Sequence, residues 1–205
     1  IDKINNVGIE DKLIQIRNII NKNESDILIF GENDYPYVIK NLDDLNYISH
    51  QLANDKLIII GGTKIENKEF YNTFFLIEKN KVLDFDKKIL VPFGEFMPFR
   101  NIIKSLDDFV GGSDYSSGLN NRIITTLNNL QIMPIICYEI IFLNDLININ
   151  NFNTELMINI TNDSWFGNFS GPYQHFYLSR MRAVEFNKPL IRVSSNGISA
   201  SIDNY

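Results

Sequence analysis

The chain has 205 residues, of which 44% are hydrophobic and 21% charged, and it carries a net charge of −6. That length can bury a sizeable core and the composition excludes intrinsic disorder, while the acidic balance excludes a nucleic-acid backbone as partner and disfavours unaided binding to an anionic membrane. A single cysteine, Cys137, excludes an internal disulfide, so the thiol is either structural or reactive.

In chain order, the first element is helical. Asp11–Asn21 places Leu13, Ile16, Ile19 and Ile20 on one stripe. The apolar run Asp26–Phe30 (DILIF) reads as a buried strand, and Glu32 follows it in FGEND. A carboxylate there is either a solvated turn residue or a group on the sheet rim, where α/β folds place their ligand sites. A second helical pattern spans Leu42–Asn54 through Leu45, Ile48 and Leu52, and strands follow at Lys56–Gly61 and Tyr71–Glu78.

Lys87 and Lys88 stand in DFDKKILVPFGEFMPF, ahead of Glu95. Such lysines are ordinarily solvated, but one buried beside carboxylates stays charged and can stabilise an oxyanion. The stretch Phe99–Asn121, with GGS and SSG, reads as a long surface loop. The strand Gln131–Cys137 (QIMPIIC) then brings the cysteine to the point where the apolar run gives way to Tyr138 and Glu139. A cysteine in such a run is a small core residue unless a base lies nearby. Neither histidine forms a recognisable dyad with it, which leaves a carboxylate as the candidate base.

After the strand Leu156–Ile160, a polar turn holds Trp165 and Phe166, which are core or pocket-lining aromatics. Pro172 opens a helix to Asn187, whose His175, Arg180, Arg182 and Glu185 read as structural ion pairs. Strands at Pro189–Ser194 and Ile198–Ile202 complete the chain. Apolar strands alternating with helices need cover on both faces, so the fold class is layered α/β, a single domain over 1–205.

Five segments in this order are distinctive: Lys87–Glu95 (KKILVPFGE), Ile136–Glu139 (ICYE), Asn162–Gly167 (NDSWFG), Gly171–His175 (GPYQH) and Arg180–Arg182 (RMR). Together they resemble the apolipoprotein N-acyltransferase family of the nitrilase (carbon-nitrogen hydrolase) superfamily, from about Ile27 to Ser201. The resemblance implies an αββα sandwich in which strand ends deliver a Glu–Lys–Cys triad. It implies Glu32 as general base, Lys87 as stabiliser of the tetrahedral intermediate and Cys137 as nucleophile. Glu95, Tyr138 and Glu139 would support them, and Trp165 and Phe166 would contact substrate.

The reaction implied is acyl transfer from a phospholipid, through a thioester on Cys137, to the N-terminal amine of a diacylglyceryl-cysteine apolipoprotein. It uses neither a metal nor an organic cofactor. The location implied is the bacterial inner membrane with this domain facing the periplasm, anchored by segments outside this stretch; a protein consisting of this stretch alone would be soluble. Ile1–Gly8 matches the family's first strand poorly and the sequence ends soon after ISASI, so a sandwich short at both ends is expected. The family's Trp-Pro before the base is Phe30-Gly31 here, which predicts a looser turn around Glu32. Two alternatives stay open: a soluble nitrilase-type amidase that passes its acyl group to water, and an inactive fragment that offers only a binding surface.

Overall fold

Two sheets pack face to face with helices outside them. A computed structural model describes residues 8–50, 52, 56–98, 114–147, 153–167 and 169–205. Helix α1 (Ile9–Lys22) precedes a four-stranded sheet of order β1 (Ile27–Ile29), β2 (Leu57–Glu66), β3 (Glu69–Glu78) and β4 (Lys81–Asp86). β1 runs parallel to β2 and the remaining pairs are antiparallel. The second sheet has the order β5 (Ile124–Thr125), β6 (Gln131–Ile136), β7 (Leu156–Asn162), β8 (Leu190–Ser195) and β9 (Ala200–Ile202). Its three central strands are parallel and its two edge strands antiparallel.

The alternation of side chains along a strand sets the layers. On β2, Ile58 and Ile60 pack with Ile16 and Ile20 of α1 and with Ile48 of α2 (Asn46–Ser49). Leu57 and Ile59 point the other way and meet Ile132, Ile136, Ile158 and Ile160 of the second sheet. On that sheet's outer face, Met133, Ile135 and Met157 pack against Ala183 and Phe186 of α4 (Gly171–Phe186). The result is the expected αββα order, and it explains why β2, β6 and β7 carry buried apolar residues on both faces. α4 begins with Pro in its first turn and ends on Asn187 in the left-handed conformation, φ 51°.

Several elements differ from their sequence signal. β2 continues past Gly61 to Glu66 and turns into β3 through Asn67 and Lys68, both at positive φ, a two-residue hairpin turn. β4 carries no strand signal because Asp84 and Asp86 interrupt its apolar pattern. Both carboxylates accept hydrogen bonds from Lys64 of β2, at 2.5 and 2.7 Å. The helix expected over Leu42–Asn54 is a 3₁₀ turn at Leu42–Leu45, capped by Asn41, followed by the short α2. Positions 51 and 53–55 lie outside the described residues, as does 99–113 of the expected loop Phe99–Asn121 and 1–7 of the poorly matching start. From Tyr115 to Gly118 the chain is a strap and not a free loop: Ser116 N–H donates to Phe70 O and Gly118 N–H to Lys87 O.

The segment after β1 crosses directly over β2, and this crossing aims Glu32. Gly61 N–H donates to Gly31 O at 3.1 Å, and a Cβ at position 61 would lie 2.7 Å from both Glu32 Cα and Gly31 O. The turn at Phe30-Gly31 is not loose: Phe30 N–H donates to Ile59 O at 2.8 Å and Gly31 N–H to an Asp34 carboxylate oxygen at 2.6 Å. Gly61→Ala should therefore destabilise the fold by about 1–3 kcal/mol, because the obstacle is backbone on both sides. A lowered midpoint in urea denaturation checks this, and an unchanged midpoint would show that the crossing tolerates a side chain.

Candidate active site

Three strand ends open onto one cavity of about 570 Å³. Glu32 follows β1, Lys87 follows β4 and Cys137 follows β6, and all three line the cavity with Asn72, Glu95, Tyr115, Tyr138, Asn162, Trp165 and Phe166. Glu32 and Lys87 are buried at 6% and 1% relative exposure, and Cys137 at 7%.

The charges interlock. Lys87 Nζ donates to Glu95 Oε1 at 2.8 Å and to Glu32 Oε1 at 3.5 Å. Asn72 Nδ2 donates to the same two oxygens, at 2.8 Å each. Glu32 Oε2 accepts from the Asn162 N–H at 2.9 Å, and Glu95 Oε2 from the Val91 N–H at 2.9 Å. Burial pulls the Lys87 ammonium down, but the charges of Glu32, Cys137 and Glu95 outweigh it and hold Lys87 above the ordinary lysine range. Burial and the Glu32 charge push the Cys137 thiol up to about 12 against the opposing pull of Lys87. The thiol is thus protonated at neutral pH, and Thr161 and Glu32 are both hydrogen-bond partners of it.

Cys137 is not the last strand residue. It opens a 3₁₀ turn, Cys137–Ile141, with φ 50°. A non-glycine residue in that region costs on the order of 1–3 kcal/mol, and such strain persists only where the surroundings over-determine it. Directly after it, Tyr138 faces the cavity and packs on Phe142 and Phe166.

Glu139 turns away from the cavity and is fully buried. Arg122 grips both its oxygens at 2.8 Å, Oε2 also accepts the Ile136 N–H at 2.9 Å, and Oε1 accepts the Lys88 N–H at 2.8 Å. The Arg122 guanidinium and these amides hold its carboxyl below the usual range in spite of the burial. Glu139 therefore braces the segments that carry Lys87 and Cys137. Trp165 is 75% exposed at the cavity mouth, while Phe166 is partly buried and lines the wall. Phe93 and Phe169 are also exposed, at 72% and 83%.

Sequence reasoning passed over Asn72, Arg122, Asn159, Asp163 and Arg192. Asp163 is fully buried and accepts hydrogen bonds from Arg192 Nη2 at 2.7 Å and Ser194 Oγ at 2.8 Å, with His175 Nδ1 at 2.8 Å. One signal was available: Arg192 interrupts the apolar strand PLIRVS, and a charge there requires a buried partner. His175 and Arg182 of α4 are buried as structural partners; Arg182 Nε donates to Ile140 O at 2.9 Å and the side chain pairs with Glu185.

A sandwich that delivers a carboxylate, an ammonium and a thiol to one cavity has relatives by both sequence and fold. The carbon-nitrogen hydrolase family matches residues 45–205, and the chain belongs to that family. Within it, the chain is 40% identical over 197 residues to the apolipoprotein N-acyltransferase of Rickettsia prowazekii (strain Madrid E), covering 89% of this chain and 38% of the relative. It is 36% identical over 192 residues to the apolipoprotein N-acyltransferase of Rhizobium rhizogenes, covering 87% and 36%. The chain thus spans less than two-fifths of these relatives.

Solved structures share the fold. A carbon-nitrogen hydrolase superfamily protein of Xanthomonas campestris superposes with a TM-score of 0.71 at 17% identity, over 97% of this chain and 78% of that one. An amidase from Nesterenkonia sp. AN1 gives 0.65 at 15% identity, over the same shares.

Two consequences for stability follow. Arg122→Met strands the Glu139 carboxylate in the interior, which should cost about 3–5 kcal/mol in chemical denaturation; a loss below about 1 kcal/mol would show that the brace is dispensable. Burial raises the Asp163 carboxyl, but His175, Arg192 and Ser194 lower it to about 2. A lowered folded value gives stability that is present above the unfolded carboxylate pKa near 4 and lost as pH falls toward 2. Unfolding free energy measured between those limits should therefore fall less steeply in Asp163→Asn than in wild type, and equal slopes would remove Asp163 from the acid response.

Proposed function

We propose that this domain moves an acyl chain from a phospholipid to the N-terminal amine of a diacylglyceryl-cysteine apolipoprotein, by way of a thioester on Cys137. The observation that carries the reading is the convergence of Glu32, Lys87 and Cys137 on one cavity from three separate strand ends. The names of the related acyltransferases support acyl transfer to a nitrogen of an apolipoprotein. In a mutant of the Nesterenkonia amidase, the acetamide moiety of fluoroacetamide adds covalently at the active-site cysteine, which supports a covalent route on this fold.

The chemistry follows from the charges. A thiol pushed up to about 12 is not a standing thiolate, so its proton has to leave during the attack. Glu32 takes that proton as the sulfur adds to the ester carbonyl. The carbonyl oxygen becomes an oxyanion facing the Lys87 ammonium, whose charge the two carboxylates maintain. Collapse expels the lysophospholipid oxygen, which recovers the proton from Glu32 and leaves the acyl group on sulfur. The acceptor amine then attacks the thioester, Glu32 receives its proton, the amide forms and the thiol is restored.

An apolar rim suits an acyl chain. Trp165 lines the cavity and is largely exposed, and Phe93, between the lining residues Pro92 and Gly94, is exposed as well, an arrangement that ordinarily marks an interaction site. The reading places the domain against a membrane held by segments outside this stretch; no helix among the described residues is long and apolar enough to cross one.

Intact-protein mass spectrometry after exposure to phospholipid vesicles tests the proposal. The expected result is one acyl mass on Cys137, absent from Cys137→Ser and discharged by a peptide with an N-terminal diacylglyceryl-cysteine. An adduct discharged by water as fast as by the amine would favour the amidase alternative. No adduct on a thiol that alkylates readily would sink the acyl-transfer reading.

A further inference from the structure

Behind Cys137, among residues that do not line the cavity, lies a buried ring of polar groups that reaches the Cys137 carbonyl oxygen from two sides, with Asn159 Nδ2 shared with Ile135 O at 3.2 Å. Asn159 Nδ2 of β7 donates to that oxygen at 3.3 Å, and His175 Nε2 of α4 faces it at 3.2 Å. Arg192 of β8 holds the far end of both arms. Its Nη1 donates to Asn159 Oδ1 at 2.5 Å and its Nη2 to Asp163 Oδ2 at 2.7 Å, while Asp163 Oδ1 meets His175 Nδ1 at 2.8 Å. Arg192, Asp163 and Asn159 are wholly buried and His175 is 2% exposed; none of the four lines the cavity. Their shared target is the residue whose backbone is held at φ 50°.

The geometry ties the two facts together. The Cys137 carbonyl fixes the plane of the peptide that follows, and a free carbonyl would let that peptide rotate and the residue relax to the right-handed region. Relaxation would swing the Cα–Cβ bond, and with it the sulfur, away from Glu32 and Lys87. His175 Nδ1 lies between the Asp163 carboxylate at 2.8 Å and Arg192 Nη2 at 3.1 Å, and Nε2 faces a backbone carbonyl that can only accept, so Nε2 is the nitrogen that donates to Cys137 O.

We propose that His175, oriented by Asp163 and Arg192, is a positioning residue that holds the Cys137 carbonyl and so aims the thiol at its base. The inference rests on the reading of Cys137 as the nucleophile. Its test measures thiol reactivity and not acyl transfer.

The measurement is the second-order rate of Cys137 alkylation by iodoacetamide in the intact chain, with the thermal midpoint followed in parallel. Gln places an amide N–H where Nε2 stands, whereas Asn replaces only the Nδ1 side. His175→Gln is therefore expected to react within about threefold of wild type, and His175→Asn and His175→Phe to be slowed by about 10-fold or more, as sub-ångström misplacement of a reacting group does. Asn leaves more space empty than Gln, so His175→Met, which matches Gln in volume and lacks the N–H, separates packing from donation and should be slowed as Asn is. A Met rate equal to that of Gln, or a wild-type rate in His175→Phe, would overturn the proposal. If His175→Phe shows no cooperative melting, the Gln–Met comparison decides alone. A wild-type thiol that reacts only after denaturation would instead remove Cys137 as nucleophile, and this inference with it.

Discussion

A single ammonium holds the cavity floor together. Two carboxylates, Glu32 and Glu95, sit within hydrogen-bonding reach of each other's partners in a nearly dry space, and their mutual repulsion would expel one of them if nothing lay between. Lys87 Nζ lies between them, and the Asn72 amide repeats the bridge without adding charge. Burial first, and then the neighbouring Glu32, keep the sulfur protonated against the pull of Lys87. In the proposed chemistry the same arrangement that denies the cysteine a resting charge supplies the base to remove its proton.

The sandwich exists to bring these groups to one edge. β1, β4 and β6 end on the same side, two of them in the first sheet and one in the second, with Ile59, Phe74 and Leu76 packed on Ile136 and Ile160 in the layer beneath. Glu32 arrives where the backbone passes over a glycine, Lys87 on a segment pinned by Asn72 O, and Cys137 on a left-handed turn. The approaches of Glu32 and Cys137 use backbone features that regular strands lack, while that of Lys87 continues the β3–β4 ladder by one pair.

The layered class and its central strands were legible in the sequence, because DILIF, KLIIIG, QIMPIIC and LMINI are apolar on both faces. β4 was not, since Asp84 and Asp86 look like solvent-facing residues until Lys64 reaches across β3 to meet them. For the site, chain position left Glu32, Lys87 and Cys137 open to ordinary structural readings, and the resemblance carried by the local motifs assigned their roles, together with those of Glu95, Tyr138 and Glu139. What no spacing could supply was direction. Glu139 follows a residue that lines the cavity, yet it points to Arg122, a partner 17 positions earlier. Asn72 and Asn159 lie inside strands and reveal their task only when their neighbours across the sheets are known.

The Glu139 carboxylate touches the main chain of both halves of the site, at Lys88 and Ile89 on one side and at Ile136 on the other. It acts as a rivet through the sandwich. Parting the layers to admit a long chain would break charged hydrogen bonds in a dry interior, so the ammonium and the sulfur travel as one rigid body. Among the described residues, entry to the buried sulfur then turns on the cavity mouth, where the exposed indole of Trp165 stands on a short turn.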